Sequence, residues 1–368
     1  MNPLIILDVP FGGYGIIKSL KKYDIPLYGF YRKNDTWSEI QTKLCSLFPY
    51  ENDEDILSVL YDIKDRTDET PVLIFTNDNQ VKFFVRNYDK LAGYFLFNMP
   101  SVESINTFMY KDKFASFAKA HGLKLPWTIS LTKDEDFHNV EYPCFVKPAG
   151  NWAHAYKGYV CNNPNEAKAL LQYGSDLIAQ EWVPGGSKNI LSTFLYYDTS
   201  GRCRACITGQ KIREWPTVAG SGSCLGVVQN KEMERQSQLI FEKNQYRGIG
   251  SFEMKKHEIT GELYAIEPTV GRVDVGSFFT VINGINIPAM YYFDVIGNTI
   301  PNFKQKRIPQ YWIHELMDIQ SVLVNLKQNP KQALEVIKTY LNSQFHLLNP
   351  KDMLPFWLFF KDKILKIR

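Results

Sequence analysis

In the stretch SFEMKKHEITGELYAIE, Ser251 to Glu267, two strand-like runs flank Ile259, Thr260 and Gly261. The pattern predicts a β-hairpin, and a turn centred on Thr260 sets Glu253 directly opposite Glu267 on one face. Carboxylates so placed lie about 5 Å apart, a like-charge pairing that destabilises a bare sheet. A divalent cation between them removes the conflict, and Mg²⁺ takes one or two protein carboxylates while completing its octahedron with phosphates and water. The alternative is a solvated face with surplus acids, such as Glu258 and Glu262. Pro268, Thr269, Val270, Gly271 and Arg272 then make a tight exit that returns a guanidinium to the carboxylate end. An arginine there can stabilise charge developing on a transferring phosphoryl or acyl oxygen, or simply pair with a surface acid.

Upstream, YPCFVKPA (Tyr142 to Ala149) is an apolar strand interrupted by one lysine. Burying an unpaired ammonium is costly, so Lys147 calls for an anionic partner such as a phosphate. The loop after it holds Gly150, Asn151, His154 and Lys157, the small and polar residues of a flap. Leu177 to Gln180 form a strand running into Glu181, Trp182, Val183 and Pro184, where backbone groups can meet an adenine edge. In GQKIREWP (Gly209 to Pro216), Lys211 and Arg213 share one face of a strand by its two-residue period. They either address a common target or are solvated charges. Gly220, Gly222 and Gly226 in AGSGSCLG read as a flexible loop or a substrate cradle.

The first hundred residues alternate strand and helix signals. Strands are expected at Leu4–Val9, Pro26–Tyr31, Val72–Thr76 and Tyr94–Phe97, the pattern of a small parallel α/β sheet. Gly13 and Gly15 begin a dinucleotide fingerprint, but the third glycine is absent and position 18 is Lys, so a tight strand-to-helix turn is expected. From Tyr110 a helix with Lys111, Lys113, Phe114 and Phe117 runs to Gly122. Short β-rich segments follow to about residue 270, and beyond Gly297 helices are expected at Tyr311–Leu326 and Lys331–Asn342.

With 368 residues, 45% hydrophobic, the chain suits two or three packed units. Its 42 basic and 39 acidic residues leave a net charge of +3, no field for wrapping nucleic acid. Met1 to Pro10 reads as a buried strand rather than a signal peptide, and no apolar run is long enough to span a bilayer. A cytoplasmic protein is expected, and its six scattered cysteines, including the isolated pair Cys203 and Cys206, read as reduced structural thiols. The tail from Lys351 to Arg368 carries five basic residues and two acids around Phe356, Trp357, Phe359 and Phe360. Such a segment either touches a membrane interface peripherally or docks on the protein's own surface or on another subunit.

The order of these motifs resembles the ATP-grasp superfamily, in its carboxylate-amine ligase branch. The resemblance rests on DKFASFAKAHGLKLPWT, FVKPA, QEWVPGG, SFEMK and IEPTVGR, and covers the chain to about residue 300. It implies a Rossmann-like N-terminal domain (1–108), two α+β lobes holding ATP between them (109–300, hinge near 180–186), and a helical C-terminal extension (301–368). It further implies Lys113 and Lys147 on the phosphates and Gln180, Glu181, Trp182 and Val183 at the adenine. Glu253 and Glu267 become Mg²⁺ ligands, and Lys211, Arg213 and Arg272 the cations facing the phosphoryl and activated carboxylate groups. The family usually has Asn two residues after the second glutamate; here stands Thr269, able to offer a metal one oxygen. After the hinge, where an acid is common, stand Ser187, Lys188 and Asn189. The implied activity joins a small-molecule carboxylate to an amine (an amino acid, peptide or surface-polymer precursor) through an acyl phosphate, releasing ADP and phosphate. The alternatives are a phosphotransferase on the same scaffold and a non-catalytic nucleotide-binding module.

Overall fold

The computed structural model describes residues 1–33, 42–148, 158–174, 176–218, 220–273 and 276–365. Three sheets organise them. The first holds β1 (Leu4–Leu7), β2 (Leu27–Arg32), β3 (Ser46–Tyr50) and β4 (Val72–Phe75), all parallel, in the order β3-β2-β1-β4. The central strand β1, LIIL, and its neighbour β4, VLIF, are buried along their whole length, as expected where helices cover both faces of a parallel sheet. The Gly-rich turn leads from Val9–Gly13 into the helix Tyr14–Leu20. A Cβ on Gly13 would stand 2.7 Å from the Asp8 carbonyl oxygen, so this glycine serves the tightness of the turn. The expected strand at Tyr94–Phe97 is reduced to a single bridge between Leu96 and Val72.

The second sheet is small and antiparallel: β5 (Thr128–Leu131), β6 (Cys144–Pro148), β7 (Tyr159–Cys161) and β8 (Leu177–Glu181), in the order β5-β8-β6-β7. It has its own core of Val146, Leu177, Ala179 and their neighbours. Gly150, Asn151, His154 and Lys157 of the expected flap lie outside the described residues.

The third sheet takes in β9 (Ile190–Tyr197), β10 (Cys203–Trp215), β11 (Ser221–Val227), β12 (Gly248–Lys256), β13 (Leu263–Val270), β14 (Tyr311–Ile313) and β15 (Ser343–Phe345), in the order β13-β12-β9-β10-β11-β14-β15. Two expectations change here. The glycine-rich stretch is not a loop but strand β11, because its glycines admit close neighbours: a Cβ on Gly226 would meet the Tyr311 ring at 2.8 Å. The segment after residue 300 is not wholly helical either. Tyr311–Ile313 pairs with β11, so the helix expected from Tyr311 begins only at Glu315 and runs to Gln328.

One hydrophobic core joins Ile5, Leu7 and Phe30 of the first sheet to Leu195 and Phe252 of the third and to Phe241 of the helix Lys231–Lys243. The C-terminal segment is tied in as well. The Tyr14 hydroxyl lies 3.3 Å from the Asp352 carboxylate, and the Lys18 ammonium donates to the Phe345 carbonyl at 3.0 Å. In the last helix, Leu354–Leu365, Phe359 is buried and Trp357 is exposed. The tail thus docks partly on its own protein. No helix among the described residues is long and apolar enough to cross a membrane.

Candidate active site

Strands β12 and β13 form the expected hairpin, with Glu253 directly opposite Glu267 and Ser251 opposite Thr269. A bulge follows Glu253, so that Met254 pairs with Ala265 and Ile266 is the extra residue. The like-charged pair sits on the wall of a cleft of about 1960 Å³ between the small and large sheets. The Lys211 ammonium stands 3.7 Å from Glu253 and 3.6 Å from Glu214, and donates to the Gly220 carbonyl at 3.2 Å. Among the described residues there is no group of three or more His, Cys, Asp or Glu side chains suited to a metal. Two facing carboxylates form an all-oxygen donor set, and that chemistry fits a hard divalent cation that brings water and phosphate as its remaining ligands.

Across the cleft, β6 carries Lys147, whose ammonium donates to the Gln180 side-chain oxygen on β8 at 3.0 Å. Burial lowers its pKa first, the nearby Lys111 ammonium lowers it further, and Glu267 partly offsets both. Lys147, Lys111 and Glu267 therefore feel one another from three different elements. Lys111 is set by packing: it begins the helix Lys111–Ala120, whose Phe114 and Ala118 are buried, with Phe114 against Phe108 and Phe252.

The segment expected to be the hinge begins at the end of β8. The Glu181 carboxylate accepts the Trp127 backbone N–H at 3.2 Å, Val183 is buried, and the Trp182 ring stacks near Phe145 with centroids 6.3 Å apart. The Lys255 ammonium lies 3.9 Å from the centre of the Trp182 ring, a cation–π contact in the cleft. Burial lowers its pKa to about 8 against the opposing pull of Glu214 and Glu258. Glu214 is buried; its desolvation raises its pKa, opposed by Lys211 and by a 3.0 Å hydrogen bond from Ser187.

Nine of the twelve residues expected from the sequence line this cleft: Lys147, Gln180, Glu181, Trp182, Val183, Lys211, Arg213, Glu253 and Glu267. Arg213 reaches it, yet its guanidinium is spent elsewhere. Nε and Nη2 meet the two Asp318 oxygens at 2.9 and 2.8 Å, and Nη1 donates to Thr339 at 3.0 Å, all buried. It clamps the C-terminal helices to β10. Lys211 and Arg213 are both buried, so the reading of solvated charges on an exposed strand does not hold.

Three expected residues do not line the cleft. Lys113 is exposed, its ammonium 5.1 Å from the Tyr110 ring, and Lys111, two positions earlier, lines the cleft. Arg272 pairs through Nε with Asp78 at 2.5 Å, tying the exit from β13 to the start of the helix Asp78–Arg86. The guanidinium thus makes the salt bridge to an acid that the sequence left open beside the oxyanion contact. Thr269 shares the strand face of Glu267, two residues along.

Among the cleft residues that the sequence did not single out are the charged Lys111, Glu214 and Lys255. Lys255 could have been found from the two-residue period, since it stands two positions after Glu253 on the same strand.

No protein-family model matches the chain. Over 252 residues it is 23% identical to D-aspartate ligase of Enterococcus faecium (strain Aus0004), a match covering 62% of this chain and 59% of that protein. The chain thus spans less than two-thirds of that relative's length. Among solved structures, N5-carboxyaminoimidazole synthase from Aspergillus clavatus, in complex with ADP and 5-aminoimidazole ribonucleotide, superposes with a TM-score of 0.58 at 12% identity, over 82% of this chain and 78% of that one. L-amino acid ligase from Bacillus licheniformis gives 0.60 at 13%, over 80% and 74%. All of these proteins belong to the ATP-grasp superfamily, and this chain, which opens a cleft between a small antiparallel sheet and a large one, has the ATP-grasp fold.

Proposed function

We infer that the chain is an ATP-dependent carboxylate-amine ligase, which activates a carboxylate as an acyl phosphate and passes it to an amine, releasing ADP and phosphate. One observation carries the reading: the facing carboxylates Glu253 and Glu267 share a cleft with the half-buried Lys147, which comes from the opposite sheet. In this reading residues 1–108 form a Rossmann-like unit, and residues 109–300 form the two lobes around ATP. Residues 301–368 close onto the edge of the large sheet. Such chemistry belongs in the cytoplasm, where ATP is supplied.

Lys147 and Lys111 hold the phosphates, while the backbone at Trp182 and Val183 meets the adenine edge. Glu253 and Glu267 would hold Mg²⁺, which when bound neutralises phosphate charge. Thr269 stands two residues further along the same face as a further oxygen donor. Lys211 stays beside Glu253 and supplies positive charge where the phosphoryl group transfers. A substrate carboxylate oxygen attacks the γ-phosphorus and ADP leaves; the amine then attacks the acyl carbon and phosphate leaves. The protein's work is positioning and charge neutralisation.

The names of two relatives, D-aspartate ligase and L-amino acid ligase, put amino acids first among the substrates to try. The experiment is ADP release over a matrix of amino acids offered as carboxylate and as amine, D-aspartate included, with mass spectrometry of the product. The expected result is ADP formation that requires both substrates and yields an amide. Amine-independent ADP formation with a stable phosphorylated product would establish a phosphotransferase. ATP binding without turnover across the matrix would leave a binding module.

A further inference from the structure

Two adjoining helices of the C-terminal segment, Glu315–Gln328 and Ala333–Leu341, turn aliphatic side chains to solvent. Ile319 and Leu323 on the first are 46% and 65% exposed; Leu334, Ile337 and Leu341 on the second are 70%, 53% and 83% exposed. The spacings i, i+4 and i, i+3, i+7 put each set on one stripe of its helix. Both helices also face the same way. Arg213 on β10 binds Asp318 of the first and Thr339 of the second, so the inner sides of both are fixed on one strand and their opposite sides point outward together.

Exposed large aliphatics at this density mark a contact surface. The charge around them says which kind. Lys327, Lys331 and Lys338 are exposed among them, and the acid of this stretch, Glu335, is held by Lys188 at 2.5 Å. Asp318 and Glu315 are buried. In a symmetric pairing of two copies the same patch meets itself, which would set lysines against lysines. An anionic surface suits both features: aliphatic side chains enter the acyl boundary while lysines engage headgroups.

We propose that this paired-helix face docks peripherally on anionic lipid membranes. The surface is distinct from the aromatic tail, whose Phe359 is spent in the protein's own core, and the proposal does not depend on the ligase reading. The Lys188–Glu335 bridge joins the docking helix to the loop just after the hinge, so docking would set the cleft close to the bilayer.

The test is co-sedimentation of the full chain with phosphatidylglycerol vesicles and with phosphatidylcholine vesicles. Binding is expected to the former and not the latter, and it should weaken as salt is raised. A lysine at an anionic surface is worth about fivefold in affinity, so the Lys331→Gln/Lys338→Gln double variant should bind roughly thirty times more weakly. Leu334→Gln/Ile337→Gln/Leu341→Gln should lose affinity on the order of a hundredfold. All five positions are exposed, so melting curves should match the parent chain and certify folding. Three results would overturn the proposal: no binding to phosphatidylglycerol; binding abolished by Trp357→Ala but not by the helix variants; or a concentration-dependent dimer that the aliphatic variants dissolve.

Discussion

Arg213 offers the sharpest separation of a structural role from a chemical one. Its guanidinium is bidentate on Asp318, which is fully buried and also accepts from Ser223 at 2.9 Å. Arg213→Met leaves that carboxylate buried without its counter-charge, a change that typically costs about 3–5 kcal/mol. For a chain of this size the loss is on the order of 10 °C in melting temperature. Replacing the partner too, in Arg213→Met/Asp318→Leu, removes the stranded charge and fills the space with apolar volume. That double variant should recover all but about 1 kcal/mol, the remainder being the Ser223 hydroxyl left without its acceptor. Thermal and urea denaturation measure both variants, and calorimetry with ATP tests the cleft, where affinity should stay near that of the parent. If Arg213→Met melts like the parent chain while its ADP release collapses, the clamp reading is refuted and the arginine belongs to the chemistry.

Glu267→Gln keeps the side-chain volume but removes one carboxylate of the facing pair, so divalent-metal-dependent ADP release should be lost while the melting temperature holds. Lys111→Ala should weaken ATP binding measured by calorimetry, whereas Lys113→Ala, exposed beside Tyr110, should leave it unchanged; the reverse order would restore the expectation drawn from sequence. Removal of residues 350–368 should lower stability and promote aggregation, because it takes away buried Phe359 and the Asp352 partner of Tyr14. Asp198 gives a pH signature. Burial opposes its charge, but hydrogen bonds from Ser200, Arg202 and Arg204 outweigh that and hold its carboxyl well below the usual range. Its folded pKa lies below the unfolded value, so its stabilisation is present above about pH 4 and fades as pH falls further. Asp198→Asn should melt at a lower temperature at neutral pH and show a flatter acid limb.

The hairpin was legible because its determinants are local. A turn at Thr260 fixes the register, and register alone brings Glu253 to Glu267, even though the bulge after Glu253 was not visible. The strands that carry Lys147 and Gln180 to the cleft were legible for the same reason, each being a short apolar run with one anomalous residue. What was not legible depends on partners distant in sequence. Nothing near Arg213 announces Asp318, 105 residues away, and nothing near Arg272 announces Asp78. AGSGSCLG resembles a loop until Tyr311 lies against Gly226, since glycine's strand-weakening tendency is then outweighed by the close approach it permits. Strand β14 is three residues long, too short for any period to show. Lys111 and Lys113 sit in the same first helical turn, and which one faces the cleft is set by how Phe114 packs on Phe108 and Phe252.

The bonds from Tyr14 to Asp352 and from Lys18 to the carbonyls of Phe345 and His346 join residues more than three hundred positions apart. A ribosome makes the chain in one direction, so the first helix waits for these partners while more than three hundred further residues are made. Until then Tyr14 and Lys18 lack the groups that later satisfy them, and the edge of β11 lacks β14. Long-range closure of this kind slows folding and leaves intermediates with open strand edges. Slowed translation just before Phe345 to Asp352 are made should therefore do more harm to the yield of native protein than a pause of equal length after them.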